Sequence, residues 1–180
     1  AQGALGLDST ARFTDHQHRQ VERSERGGCM KYWLHYWRRE DVDRFLRMST
    51  FKVDCTGSDQ PRFHNQYKEG DIVWFHSILE NKQHVLLGRL ILDKKMSKNE
   101  ASAHVGRAFA ASIKFETYWV SLKPWHPIQT IKMNDVARKL QFLPKKPLPL
   151  NYSGQHFQAI RELDPSDHEL IQDRWDAWME

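Results

Sequence analysis

The chain has 180 residues, of which 39% are hydrophobic and 28% are charged, and its formal net charge is +4 at pH 7. Seven Trp, nine Phe and five Tyr are too many aromatic residues for a disordered chain. No run of 18 apolar residues exists, so no membrane partner is expected, and two cysteines exclude a zinc site or a disulfide framework.

The charge is distributed unevenly along the chain. Residues 30–150 carry 21 Lys and Arg against 12 acidic residues, whereas residues 151–180 carry two Arg against seven acidic residues. A basic body is typical of proteins that bind polyanions, because contacts to phosphate supply most of the sequence-independent affinity for nucleic acids. A solvated basic surface without such a partner is the alternative.

Residues 1–29 are predicted to be a disordered leader, and residues 30–180 a single domain. The leader has few apolar residues and ends in Gly27 and Gly28. The domain begins with the aromatic segment KYWLHY, which predicts a strand. A short helix follows, since Val42, Phe45 and Leu46 recur at helical spacing.

The middle of the chain predicts a hairpin and a third strong strand. Residues 71–78 and 84–93 form the hairpin around a polar turn, and Gly88 indicates a bulge or a close backbone approach within the second strand. Ser97 and Glu100 form a capping box that begins a short helix. Residues 115–122 are the third strand.

The last third of the chain predicts short helices. Asn134 is expected to cap one, residues 154–162 to form another, and Asp164 with Pro165 to begin the last. Short strands at irregular spacing with small helices between them indicate an α+β fold. The expected architecture is a small mixed β-barrel covered by these helices.

One loop carries several ionisable and nucleophilic groups. It contains Asp54, Cys55, Ser58 and Asp59, with His64 shortly after it. A nucleophile needs a base and an orienting group beside it, and no recognisable nucleophile, phosphate-loop, dinucleotide or metal motif is present. The residues therefore favour a loop that satisfies its own backbone, and neither catalytic residues, nor a cofactor, nor a metal is expected.

Aromatic residues are the stronger signal for function. Tryptophans recur at strands and at the loops leaving them, and a buried indole N–H needs a partner, so several tryptophans are expected to be partly exposed in a pocket. Aromatic side chains in a basic body are suited to stacking on a base that has left its helix. The alternative is that most of them form the core.

The order of these motifs resembles the EVE domain of the PUA-like superfamily, whose relatives include the ASCH and YTH domains. The resemblance lies in the YWL strand, the Gly57-Ser58 loop, the segment Lys68-Glu69-Gly70-Asp71 before an aromatic strand, and Gly88-Arg89 in its hairpin partner. The segment RELDP (residues 161–165) also fits, because it precedes a last helix that ends in tryptophan.

The resemblance implies a mixed β-barrel with a pocket on one side. Members of the family read modified bases, some as the specificity domain of modification-dependent restriction systems. In the YTH relatives, tryptophans cage a methylated base, and one of them lies on the strand after the first helix. Here that strand reads FKVD (residues 51–54) and has no tryptophan, whereas Trp33 and Trp74 match pocket strands of the family.

The expected function is therefore a non-enzymatic module that binds DNA, with RNA as another possible partner, and reads a flipped base such as a modified cytosine or 6-methyladenine. The expected localisation is intracellular, in the cytoplasm or nucleoid. The predicted base pocket consists of Trp33, Ser58, Asp59, Phe63, Trp74, Trp119 and Trp125. The predicted phosphate contacts are Arg62, Lys68, Arg89, Lys94, Lys95 and Lys123.

Two other functions fit the same sequence. One is an ASCH-like hydrolase that acts on RNA or on small amides through a Lys or Asp in the same pocket. The other is a protein-interaction module whose contact is the acidic C-terminal helix. A nuclease assay separates the hydrolase from the binding module, and DNA binding at low salt separates the binding module from the interaction module.

Overall fold

The computed structural model describes residues 29–48, 51–105, 113–122, 126–144 and 157–180, which form eight β-strands and five α-helices. The strands are β1 (Tyr32–Tyr36), β2 (Cys55–Gly57), β3 (Ile72–Ile78), β4 (His84–Ile91), β5 (Lys94–Ser97), β6 (Thr117–Val120), β7 (Ile131–Lys132) and β8 (Arg161–Leu163). The helices are α1 (Arg39–Leu46), α2 (Pro61–Asn65), α3 (Lys98–Val105), α4 (Asn134–Ala137) and α5 (Pro165–Met179). The predicted leader lies outside these residues, apart from Cys29.

The larger sheet has five strands in the order β7-β4-β3-β1-β8. Strands β1 and β3 are parallel, and the other three pairs are antiparallel. A parallel pair needs a long crossover, and residues 37–71, which contain α1, β2 and α2, provide it. This crossover contains the segment with Asp54, Cys55, Ser58 and Asp59.

The two faces of this sheet pack against different elements. Trp33 is paired with Val73 in register, and both side chains belong to the core cluster that also contains Phe63, Phe75 and Trp119. The neighbouring residues in each strand point the other way, because side chains alternate along a strand. They belong to a second cluster with residues of α4 and α5: Leu34, Trp74, Leu86, Ala137, Ile171 and Trp175.

The smaller sheet has the order β2-β6-β5. Its outer face packs under α3 and the segment before β6, through Ala101, Ile113 and Tyr118. A side-chain carbon on Gly57 would lie 2.6 Å from the ring of Tyr118 and 2.7 Å from that of Phe115. Glycine is therefore required at position 57 because the two rings approach the backbone closely, not because of its backbone angles.

The predicted irregularity at Gly88 is confirmed. The register between β3 and β4 shifts between Phe75, which pairs with Gly88, and His76, which pairs with Leu86. The extra residue on β4 is a bulge. A side-chain carbon on Gly88 would lie 3.1 Å from Val53, so the position is also a close approach between segments.

Two predicted helix starts are confirmed. The Glu100 carboxylate accepts from the Ser97 backbone N–H at 2.8 Å, and the Ser97 hydroxyl accepts from the Glu100 N–H at 3.4 Å, which is the predicted capping box. Asp164 is the N-cap of α5, where its carboxylate accepts from the Ser166 N–H, and Pro165 is the first helical residue.

Two predictions for the last third of the chain are wrong. Residues 161 and 162, the end of the predicted helix 154–162, belong to strand β8 on β1, since pairing with a distant strand overrides their local preference. Asn134 is the first residue of α4 rather than its cap, and its side-chain oxygen accepts from the His84 N–H of β4. Residues 154–156 of the predicted helix lie outside the described part.

The predicted α+β class is confirmed, with two sheets and short helices. Residues 126–129 lie between the two sheets and form a backbone hydrogen bond towards each. Val53 N, just before β2, donates to His126 O, and Gln129 N donates to Leu87 O of β4. None of the described helices is long and apolar enough to cross a bilayer.

Candidate functional site

A cleft of about 1290 Å³ opens where β1 ends and α1 begins, on the face of the larger sheet that carries Trp33. The crossover and the segment before β6 complete it. Its walls include side chains from residues 35–45, 51–61, 105, 113–118 and 158, which are distant in sequence. This convergence of five segments makes the cleft the main candidate for a binding site.

Three half-buried aromatic side chains line the cleft: Trp37, Phe45 and Phe51. The rings of Phe45 and Phe51 are stacked, with centroids 4.0 Å apart and an angle of 8° between their planes. The Trp37 ring lies 5.3 Å from Phe45 and 6.1 Å from Phe51, and it rests on buried Phe75 at 4.7 Å. These three rings, which we call the aromatic wall, offer a partly exposed apolar surface that the core holds in place.

A second pair of aromatic residues lines the cleft beside β2. Phe115 and Tyr118 lie against Gly57, as described above. The Tyr118 hydroxyl accepts from the backbone N–H groups of Lys114 at 2.7 Å and Phe115 at 3.0 Å. These bonds fix the approach to β6 and hold both rings at the cleft.

The floor of the cleft is polar. His35, which is only 4% exposed, lies between two hydroxyl groups: its Nδ1 is 3.4 Å from Thr56 Oγ1 and 3.3 Å from the hydroxyl of Tyr67. His35 and Thr56 line the cleft, whereas Tyr67 is buried behind them. Burial lowers the pKa of His35 to about 4, so the imidazole is neutral at pH 7.

Asp54 and Cys55 also line the cleft. Burial raises the pKa of the Asp54 carboxyl, while the charge of His104 and a hydrogen bond with Cys55 act in the opposite direction. Burial and the neighbouring Asp54 raise the pKa of the Cys55 thiol well above its ordinary value. A thiol with a raised pKa is protonated at neutral pH, and here it forms a hydrogen bond with Asp54.

The predicted base-edge residues Ser58 and Asp59 lie at the cleft. Ser58 is buried, and its oxygen accepts from the Gln60 backbone N–H at 3.1 Å, so the loop partly satisfies its own backbone, as the alternative interpretation expected. Its hydroxyl hydrogen is not used by that bond. Asp59 is exposed.

The mouth of the cleft carries charges of both signs. Arg39 pairs with Asp43 and with Glu80, whereas Arg44 and Lys114 share Asp41 at 2.9 and 3.7 Å. Within the described residues, two exposed cations of the lining, Arg38 and Lys52, form no ion pair. These two side chains can reach an anionic ligand without breaking an existing pair.

The structure does not bring the predicted stacking residues Trp33 and Trp74 together. Both are fully buried, at 0% exposure, and they lie on opposite faces of the larger sheet because Trp33 pairs with Val73 while Trp74 is one residue further on. Trp33 Nε1 donates to Asp71 at 2.8 Å, and Trp74 Nε1 donates to His168 Nδ1 at 3.0 Å. Each indole therefore has its partner inside the core.

Two more predicted pocket aromatics, Phe63 and Trp119, are not among the residues that line the cleft. Phe63 is fully buried beside Tyr67, with ring centroids 5.3 Å apart. Trp119 is 7% exposed on the inner face of β6, next to Thr56 in register, and its Nε1 has no hydrogen-bond partner in the described part of the chain. Trp125 lies outside the described residues.

The predicted phosphate contacts are dispersed. Lys68, Lys94 and Lys95 are exposed. Lys68 lies at the turn before β3, which is the end of the sheet opposite the cleft, and the other two lie on β5, two strands from β2. Among the described residues, none of these lysines lines the cleft.

Two predicted phosphate contacts make internal bonds. Arg62 donates to the carbonyl of Ile160 at 3.1 Å. Arg89 donates to Gln172 of α5 at 2.8 Å and lies over the Trp74 ring, and burial lowers the pKa of its guanidinium. Arg89 is therefore part of the packing between β4 and α5. Lys123 lies outside the described residues.

Sequence reasoning missed most of the cleft. Trp33, His35 and Trp37 have the period-two spacing of side chains on one face of a strand. This spacing was the available signal that the three side chains form a row, which begins in the core and ends at the cleft. The aromatic wall also depends on α1 and on Phe51, and nothing local in the sequence shows that these segments meet.

The chain was compared with known proteins. No protein-family model matches it, and no curated protein matches it. The cleft geometry is therefore the main guide to function.

Proposed function

We propose that this protein binds nucleic acid and accepts a flipped, modified base in the cleft. DNA is the proposed partner, and the proposed bases are a modified cytosine or 6-methyladenine. RNA is a second possible partner, because its unpaired bases are recognised by the same stacking chemistry.

The observation that carries the proposal is the aromatic wall. Trp37, Phe45 and Phe51 together form a contiguous, partly exposed apolar surface in a cleft, and such a surface is typical of a binding site. A base stacked on an aromatic side chain gains about 1–3 kcal/mol, which offsets the few kcal/mol needed to extrude it from a duplex.

The cleft also has room for more than a base. Its volume of about 1290 Å³ exceeds the roughly 300–1,000 Å³ of an ordinary small-molecule pocket, so a base could enter with its sugar and neighbouring phosphates. Arg38 and Lys52 at the mouth are the proposed phosphate contacts, in place of the dispersed lysines predicted from sequence. Polar groups of the floor would then contact the base edge.

The proposal also includes a finer description of the fold. We propose that the two sheets form a PUA-like barrel of the EVE type. Support comes from the backbone bonds through residues 126–129, which run between Val53 and Leu87, and from the turn at Asp93, whose N–H donates to Val120 of the smaller sheet. The proposed setting is intracellular, with the domain as a specificity module of a modification-dependent restriction system.

A binding experiment with paired stability measurements tests the proposal. We expect Trp37→Ala to weaken binding of an oligonucleotide with the preferred modified base by about 1–3 kcal/mol, and binding of unmodified duplex much less. Trp178→Ala is the matched control, since Trp178 is 48% exposed near the end of α5, away from the cleft lining. Fluorescence anisotropy gives the affinities, and thermal melting shows whether each variant is folded.

A second variant separates phosphate binding from stacking. Lys52→Gln should weaken modified and unmodified duplex equally, because phosphate contacts carry no sequence information. If the wild-type protein binds no nucleic acid at low salt, the proposal fails and the interaction module gains support. Cleavage of the oligonucleotide would instead favour the hydrolase.

A further inference from the structure

The smaller sheet has an unpaired strand edge at the cleft. Its strand order is β2-β6-β5, so among the described strands β2 has a neighbour on one side only. The cleft is lined from both faces of this sheet: Thr56 lies on the inner face beside His35, and Phe115 lies on the outer face with Ile113. The free edge of β2 therefore faces the cleft.

The hydrogen bonds to β6 show which peptide groups of β2 point to this free edge. Paired residues of antiparallel strands alternate between those that exchange hydrogen bonds and those that do not. Asp54 is opposite Ser121, one position before the pair of Cys55 with Val120, and the Asp54 carbonyl accepts from the Ser121 N–H at 2.9 Å. Thr56, two residues later, is therefore the next residue that bonds to β6.

The bonds on the other side of β6 agree with this assignment. The Val120 carbonyl accepts from the Asp93 N–H, and the carbonyl of Glu116, just before β6, accepts from the Lys98 N–H, each at 3.0 Å. Asp93 and Lys98 flank β5, so the even-numbered residues here face β5. Trp119 consequently faces β2.

Cys55 and Gly57 therefore direct their N–H and C=O groups away from β6, to the free edge. Within the described residues, no hydrogen bond occupies these four groups. Both residues line the cleft. Alternate residues with free N–H and C=O groups are the pattern to which a further strand bonds, and proteins bind extended peptides in this way.

The side chains around the free edge indicate which peptide fits. Successive residues of an added strand point to opposite faces of the sheet. On the inner side, Trp37 and Phe51 of the aromatic wall pack against the core cluster that contains Trp119, and on the outer side Phe115 is half-buried. Apolar side chains therefore suit both faces. The unpaired cations Arg38 and Lys52 of the lining suit acidic side chains at the ends of the peptide.

We propose that the free edge of β2 binds an extended segment of a partner protein as an additional strand, with apolar side chains at the centre of the segment and acidic side chains at its ends. This inference goes beyond the proposed function and does not depend on it. Because the segment would occupy the cleft, it would compete there with a base.

Amide hydrogen exchange of the full chain, followed by NMR, tests the proposal with a defined probe. The probe is a blocked pentapeptide in which Val, Phe and Val lie between two terminal Asp residues, so that its sequence is the same in both directions. In the free protein, the N–H groups of Cys55 and Gly57 should exchange at least about tenfold faster than that of Thr56. The peptide should protect the first two groups and should displace a labelled oligonucleotide.

A pair of variants at one position tests the main-chain bond. Cys55→Pro removes the outward N–H and no bond to β6, since proline is tolerated where the N–H of a strand points away from its neighbour. Cys55→Ala is the matched control, because it also lacks the thiol but keeps the N–H. We expect calorimetry to show peptide affinity about fivefold lower for Cys55→Pro, and within about twofold of the wild type for Cys55→Ala.

The outcomes separate this inference from base binding. If the wild type does not bind the peptide, or if both folded variants bind it equally, the inference is wrong and base binding is unaffected. If Cys55→Pro does not fold, exchange in the wild type decides, and unprotected Cys55 and Gly57 in the peptide complex overturn the inference. Protection by a modified oligonucleotide and not by the peptide would assign the edge to the base instead. Peptide binding with protection, in a protein that binds no oligonucleotide, would support the inference and refute the proposed function.

Discussion

The two faces of the larger sheet use similar residues for different purposes. On the face that packs against α5, Trp74 donates to His168 and Arg89 donates to Gln172, so both of these donors are bonded within the protein. On the other face, the row Trp33, His35, Trp37 runs from a fully buried indole to a half-buried one at the cleft. The comparison shows that a residue's position along the strand, more than its type, decides whether it can meet a ligand.

We call the face that packs against α5 the closed face, and the face that carries the cleft the open face. The largest expected effect is on the closed face. Trp74→Ala should lower the free energy of unfolding by about 3–5 kcal/mol, because it removes a fully buried indole that packs on Trp175. Urea denaturation measures the loss, and Trp178→Ala, at a 48% exposed position, should change it by less than about 1 kcal/mol. Selective loss of base binding in a fully stable Trp74→Ala protein would contradict the closed-face assignment.

Acid should destabilise both faces, since each contains at least one deeply buried histidine. Burial lowers the pKa of His35 to about 4 and that of His76, together with the charge of His84, to about 3. An unfolded histidine binds its proton near pH 6.5, above these folded values. The stabilisation is therefore complete above pH 6.5 and is lost as the pH falls from 6.5 towards the folded pKa values.

The size of the acid effect can be tested with one substitution. A pKa lowered from 6.5 to about 4 in His35 and to about 3 in His76 corresponds to about 3 and about 5 kcal/mol, respectively. His76→Gln should therefore reduce the loss of stability between pH 7.5 and 4.5 by about 2–3 kcal/mol, as measured by urea denaturation at several pH values. Parallel stability curves for wild type and variant would refute the role of His76.

Two glycines near the open face should differ in their tolerance of alanine. Gly57→Ala places a carbon 2.6 Å from Tyr118, within a pair of rings fixed at the cleft, and should cost about 1–3 kcal/mol of stability. Gly88→Ala meets Val53 at 3.1 Å and should cost less, because a shift of a few tenths of an ångström relieves the contact. Thermal melting gives the loss of stability for each variant. A larger loss for Gly88→Ala than for Gly57→Ala would show that packing is tighter at the bulge than at the cleft.

The smallest expected effect concerns charge. Arg38→Gln at the open face should reduce the slope of log affinity against log salt by about 0.9, the value for one phosphate contact on duplex DNA. Arg89→Gln should leave the slope unchanged, because that guanidinium is bonded to α5. Equal changes in both slopes would mean that the closed face also contacts phosphate.

Features encoded by adjacent residues could be predicted from the sequence. The capping box at Ser97 and Glu100, the start of α5 at Asp164 and the irregularity at Gly88 depend on side chains that act within a few residues of themselves. Residues 161 and 162 of strand β8 were predicted as helix because their structure depends on pairing with β1, more than 120 residues away. Ser58 and Asp59, two polar residues of the predicted base pocket, line the cleft.

The rest of the cleft could not be predicted, because it depends on the register between β1 and β3. That register pairs Trp33 with Val73 and thereby places Trp33 and Trp74 on opposite faces. The register cannot be derived from the composition of the strands. The aromatic wall similarly depends on where the crossover folds back, which brings Phe45 and Phe51 into contact with Trp37. Local sequence patterns show where aromatic residues occur in the elements, but they do not show which of these residues line the same surface.

The pairing of β1 with β8 has a consequence for how the protein is made. β1 lies near the start of the described chain, and its outer edge is covered by residues 161–163, which are synthesised more than 120 residues later. Until they emerge from the ribosome, β1 and β3 present an unpaired edge bearing Trp33 and Leu34, which is a template for association between nascent chains. Contacts of such long sequence separation also slow folding. Chains arrested before residue 161 should therefore depend on chaperones, while released chains become independent of them.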